Sequence, residues 1–191
     1  MPEVFTGGRR YNSPGFQWEG DPPGRAPSGL IALPRGHGRG KHARVSAPVW
    51  DEEFFEYEPF QDLTAPAGPV RQKEFYRCSF ERCVMQESRW SECKFEDCTF
   101  VECDLTRASF AGSALRGVRF KGCKLMGIDW SGVSANPELR FEDCQLRYAS
   151  FVGMNLRQTV FARCTAQEAN FFDLELTDAN FEGTELAGSN F

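Results

Sequence analysis

An all-β fold, a parallel β-helix with four short faces behind a disordered N-terminal tail, follows from three observations. A bulky apolar residue recurs at every fifth position over most of the chain, the fives group into twenties by residue type, and all eight cysteines fall in one register. From Phe75 the fifth positions read Phe80, Met85, Trp90, Phe95, Phe100, Leu105, Phe110, Leu115, Phe120, Leu125 and Trp130. After a slip of one they run from Phe141 through Leu146, Phe151, Leu156, Phe161, Ala166, Phe171, Leu176, Phe181 and Leu186 to Phe191. A helix period of about 3.6 or a strand period of about 2 cannot produce this spacing, whereas a repeat architecture can.

Taking every fourth of these centres sharpens the pattern. Phe80, Phe100, Phe120, Phe141, Phe161 and Phe181 are all phenylalanine, and Trp90, Phe110, Trp130, Phe151, Phe171 and Phe191 are all aromatic. The chain therefore turns a corner every five residues and closes after four, with successive coils hydrogen-bonded at the strand spacing of about 4.8 Å. Centres and the small residues two before them point inward, and the other three positions of each five face water. Each buried Phe or Leu contributes about 1.5 to 3 kcal/mol.

The cysteines lie in that small inward register. Cys83, Cys103, Cys123, Cys144 and Cys164 occupy successive coils as an interior ladder. Zinc ligands converge from spacings such as C-x-x-C, not from a straight stack. Side chains about 4.8 Å apart also exceed the Cβ separation of about 3.8 Å that a disulfide needs. The ladder reads as packing, with no metal and no cofactor.

The triplets Cys103-Asp104-Leu105, Ala108-Ser109-Phe110, Ala169-Asn170-Phe171 and Ala179-Asn180-Phe181 resemble the A(D/N)LXX unit of the pentapeptide-repeat family. The resemblance spans about residues 60 to 191. It implies a right-handed quadrilateral β-helix, a pentapeptide-repeat solenoid. The Cys- and Phe-rich units and the segment Cys123 to Trp130 are most similar to the Qnr-type branch. That likeness implies a protein partner such as DNA gyrase or topoisomerase IV, bound by mimicry of a DNA duplex and protected from quinolones. It also implies a helical C-terminal cap through which several members dimerise. The sequence ends on the centre Phe191 instead, so the expectation is either a truncated chain or an open coil end that meets a partner or forms a homodimer.

In chain order, residues 1–50 hold nine Gly and seven Pro and seven bases against three acids. This composition predicts a disordered tail. Its basic cluster, Arg35 to Arg44, reads as solvated sequence, with a weak nucleic-acid tether as the alternative. Residues 51–74 begin with six acids interleaved with Phe54, Phe55, Tyr57 and Phe60, read as an N-terminal cap over the first coil or, alternatively, a partner motif. Residues 75–191 form the β-helix, whose coils begin at about Phe75 or, alternatively, one earlier through Leu63 and Val70, with the register slip at 131–140. There Asn136-Pro137 interrupts the spacing and predicts an outward bulge, either a contact point or a tolerated defect.

The 191 residues carry a formal charge of −5, and no apolar run is long enough to span a membrane. The absence of a secretory h-region favours a cytoplasmic, reducing location, and the Qnr-type resemblance implies a bacterial one. The coil region has no histidine, and its filled interior leaves no room for a substrate, so no catalytic residues are assigned. Function then falls to the surface. From Thr165 to Phe191 there are six acids and no base: Glu168, Asp173, Glu175, Asp178, Glu182 and Glu185. With Asn136 and Pro137 these make the candidate partner-binding surface of a rigid, non-enzymatic scaffold, with duplex mimicry as the alternative.

Overall fold

The computed structural model describes residues 52–66 and 68–191, all within one compact unit. The expected tail, residues 1–50, lies outside the described residues. What is described is a parallel β-solenoid, and no helix occurs among these residues.

Twelve short strands form its walls. One wall is the sheet β1 (Phe54–Glu56), β4 (Glu74–Tyr76), β7 (Lys94–Glu96) and β9 (Ala114–Arg116). A second is the six-stranded sheet β2 (Pro59–Gln61), β5 (Ser79–Glu81), β8 (Thr99–Val101), β10 (Val118–Lys121), β11 (Leu139–Glu142) and β12 (Val160–Ala162). β3 (Val70–Arg71) pairs with β6 (Trp90–Ser91) and begins a third. The fourth is a run of single parallel bridges from Thr64↔Val84 through Gln145↔Thr165 to Thr165↔Glu185. Each strand is short because the chain turns after every five residues.

The twenty-residue period is the pairing register. Phe60 pairs with Phe80, Phe80 with Phe100 and Phe100 with Phe120. The offset is one longer at Phe120↔Phe141 and returns to twenty at Phe141↔Phe161. Rings in this column stack at centroid distances of 4.5 to 5.4 Å, tilted by no more than 17°. Trp90, Phe110, Trp130, Phe151 and Phe171 form the second column and meet the first edge-on at Trp130–Phe141 and Phe151–Phe161. Stacked and edge-on contacts are both favourable aromatic geometries.

Two expectations are corrected. Residues 52–74 are not a cap folded over the core but a further coil, because Phe55, Phe60 and Val70 are buried centres paired with Phe75, Phe80 and Trp90. Among the described residues the five-residue spacing is thus already present at Phe55. Phe181, assigned to the core, is only partly buried, because it lies in the last coil with no further ring column covering it. Leu176 and Leu186 share that state, and Phe191 is 57% exposed.

Corners have a common backbone device. Apart from Gly132 at the register slip, the described residues two past a centre adopt a left-handed φ, as at Asp62 (53°), Arg82 (49°), Glu102 (53°) and Arg163 (53°). This region costs non-glycine residues of order 1 kcal/mol or more. Side-chain pairs between coils offset part of it. Arg82 donates two hydrogen bonds of 2.8 Å to Asp62, Arg163 bonds Asp143 at 2.8 and 3.0 Å, and Arg107 pairs with Glu87.

Candidate functional site

The six acids of the candidate surface are all exposed, but they do not share one face. Glu168, Asp173 and Asp178 stand at three successive corners, with φ of 57°, 59° and 61°. Successive corners point in different directions around the coil, so the acids form a collar around the C-terminal coils and not a stripe along the rod. Three of the six are held by neighbours. Arg147 donates to Glu168 at 2.6 Å, Gln167 donates to Glu185 at 2.8 Å, and the hydroxyl and backbone N–H of Thr177 hold the Glu175 carboxyl below its usual value. Asp173, Asp178 and Glu182 make no side-chain hydrogen bond or ion pair with a described residue.

The register slip behaves differently from the expected outward bulge. Asn136 is exposed at φ 57° and accepts a hydrogen bond from the Asn155 amide at 3.0 Å, but Pro137 is buried. Pro137 is therefore corrected from surface to interior. The ladder is still regular at Ser134, whose N–H reaches the Ser113 carbonyl at 2.9 Å. Proline then offers no donor, and Glu138 supplies the N–H to the Leu115 carbonyl at 3.0 Å. A cleft of about 320 Å³ lies between residues 131–137 and 153–155.

Sequence reasoning missed a basic coil. Between Asp104 and Asp129 there are five bases and no acid: Arg107, Arg116, Arg119, Lys121 and Lys124, all exposed. The corners of this coil, Gly112, Gly117, Gly122 and Gly127, are all glycine at positive φ; Arg107 and Lys124 pair with Glu87 and Asp104 of the preceding coil. A narrower charge window along the sequence would have found it.

The cysteines are all buried and free. Their thiols do more than fill space. Cys98, Cys103, Cys123 and Cys144 donate to the carbonyls of Phe75, Phe80, Phe100 and Phe120 at 3.3 to 3.4 Å. Ser113, Thr184 and Ser189 do the same with shorter bonds of 3.0, 2.6 and 2.6 Å. The small inward register is thus a row of donors to the centre carbonyl one coil away. Burial pushes the Cys93 thiol up; Cys83 is raised first by its hydrogen bond with Cys103 and then by burial. Among the described residues, no group of three or more His, Cys, Asp or Glu is arranged to hold a metal ion. No described helix is long and apolar enough to cross a membrane.

Closed coils of four fives, with every centre turned inward, define a β-solenoid built from five-residue units. The family model described as pentapeptide repeat region matches residues 73–137, and that for pentapeptide repeats (8 copies) matches 140–173. Together they cover more than half of the chain, which belongs to the pentapeptide-repeat family. No curated protein matches it. Among solved structures it is similar to a trypsin-treated form of QnrB1, a plasmid-mediated fluoroquinolone resistance protein, with 18% identity, 71% of this chain and 74% of that one covered, and a TM-score of 0.36. It is also similar to HetL of the cyanobacterium Nostoc, involved in heterocyst differentiation regulation, at 12% identity, 74% and 92% coverage and a TM-score of 0.34. A third is Rfr23 of the cyanobacterium Cyanothece, at 13% identity, 70% and 87% coverage and a TM-score of 0.21.

Proposed function

We propose that the chain is a non-catalytic interaction scaffold that engages a basic protein surface through the acidic collar of its C-terminal coils. The observation that carries this reading is the set of exposed carboxylates at Asp173, Asp178 and Glu182, of which Asp173 and Asp178 have no ion pair among the described residues and Glu182 has only the charge of Arg163 one coil away. They are fixed on a stacked core, and from Thr165 to Phe191 the sequence holds no base. Complementary charge of this kind steers encounter and selects partners. A contact between two copies through this end would set collar against collar, so a basic partner is the better fit. The filled interior supports a binding role over catalysis.

The test is affinity capture from a bacterial lysate at low salt, comparing the chain with a triple variant Asp173→Lys, Asp178→Lys, Glu182→Lys. The reading expects a partner retained by the first and lost by the second, with circular dichroism unchanged. Identical retention would sink it.

A second reading, topoisomerase protection by duplex mimicry, is favoured by the run of six acids without a base from Thr165 to Phe191. The collar arrangement and the basic coil at 105–128 leave it less surface than a rod acidic along its length. A gyrase supercoiling assay with a quinolone decides it, because no effect at micromolar protein removes this reading while leaving the scaffold standing.

A further inference from the structure

We propose that the groove beside the register slip binds a phosphate group, free or as a small phosphomonoester, through Arg119, Arg140 and Arg157. The groove has a volume of about 260 Å³ and is lined by residues 117–119, 138–140 and 157–159, one segment from each of three consecutive coils. That is below the range of about 300 to 1,000 Å³ typical of drug-sized sites, and it suits a small ligand.

Arg119 and Arg140 are register partners in β10 and β11, so their side chains leave neighbouring strands on one face. Like charges directly opposite in a sheet are destabilising. Arg140 has a carboxylate partner in Glu142, whereas Arg119 and Arg157 form no ion pair with a described residue. All three arginines are exposed. Glu142 offsets Arg140, and Arg157 lies within electrostatic reach of Glu175, which leaves Arg119, set beside Arg140 on the neighbouring strand, as the guanidinium that a phosphate oxyanion would pair. Guanidinium groups bind phosphate oxygens through paired, charge-assisted hydrogen bonds.

The floor supplies an independent observation. Thr159 lines the groove, is 2% exposed, and its Oγ1 is buried without a hydrogen-bond partner. The same register position in Ser113, Thr184 and Ser189 donates to the carbonyl 23 residues earlier. Counting 23 back from Thr159 reaches Asn136, inside the detour that Pro137 imposes. The slip therefore removes the hydroxyl's usual acceptor at the level where the arginines gather. An orphaned buried hydroxyl is unfavourable, and a phosphate oxygen at the floor would supply its partner once the Thr159 side chain turns toward the groove.

The experiment is calorimetric titration of the full chain with inorganic phosphate at constant ionic strength, repeated with glycerol phosphate. The expected result is saturable one-to-one binding, weakened about tenfold by Arg119→Gln and by Arg157→Gln and weakened by Thr159→Val, with Arg71→Gln without effect. Tighter binding of glycerol phosphate assigns the site to an ester, and equal affinity assigns it to the free oxyanion. Absence of saturable heat for both probes overturns the proposal. So does an Arg71→Gln loss equal to that of Arg119→Gln, since binding would then follow overall charge.

Discussion

Single residues in this solenoid answer to a position in the five-residue unit before they answer to their neighbours in sequence. At the centre, Phe120 and Phe141 are fully buried between stacked rings. Truncating either to Ala is expected to cost about 3 to 5 kcal/mol in denaturant unfolding, while Gln61→Ala, at an exposed wall position, stays within about 0.5 kcal/mol. Two before the centre, the test is polar. Ser113 accepts from the Cys93 N–H at 3.0 Å and donates to the Trp90 carbonyl at 3.0 Å, so Ser113→Ala destabilises by about 1 to 3 kcal/mol. Thr159→Val removes an orphaned hydroxyl and leaves stability unchanged or raised. Equal losses for the two would contradict this account of the inward register. At the corner, the hydrogen bond from Arg82 and its charge hold the Asp62 carboxyl below its ordinary 3.8, and Arg163 acts likewise on Asp143. A carboxyl lowered in the folded state stabilises fully above the unfolded pKa and loses that contribution as pH falls through the folded one. The window therefore lies below 3.8, and NMR titration of Asp62 should move back toward that value in Arg82→Gln.

At the scale of the coil, stability is shared between neighbours and thins where a neighbour is lacking. Phe181, Leu176 and Leu186 are only partly buried, whereas Phe100, Phe120 and Leu125 are sealed. Amides in residues 176–191 should exchange with solvent faster than those in 95–130, as measured by hydrogen exchange; uniform protection would contradict a nearest-neighbour solenoid. Most of this architecture was legible in the sequence because every five residues is one wall and one corner, so burial repeats with the chain. Phe55 and Phe60 resemble a cap in sequence because the surrounding acids mask a spacing already in step with Phe75. Pro137 was misplaced because a missing N–H suggests an edge or a bulge, while here Glu138 carries the hydrogen bond and lets the proline turn inward. The thiol-to-carbonyl bonds were illegible because cysteine in a core reads as a small hydrophobe.

At the scale of the molecule, the interior is spent on stacking and the outside differs from coil to coil. The acids of the last coils could be picked out in the sequence, but not their spread around the coil, which follows only when corners are assigned. The arginine groove was hidden for a related reason, since Arg119, Arg140 and Arg157 are far apart in sequence and meet only through pairing across the slip. The collar is the feature on which the proposed function turns. Binding through it should weaken as salt rises, because exposed charges are screened over about 8 to 10 Å at physiological ionic strength. The most direct measurement is therefore the affinity of the captured partner for the chain against that for the Asp173→Lys, Asp178→Lys, Glu182→Lys variant, at low and at physiological salt. The account predicts salt-sensitive binding that the variant loses while keeping its fold. Salt-insensitive binding that the variant retains would contradict it.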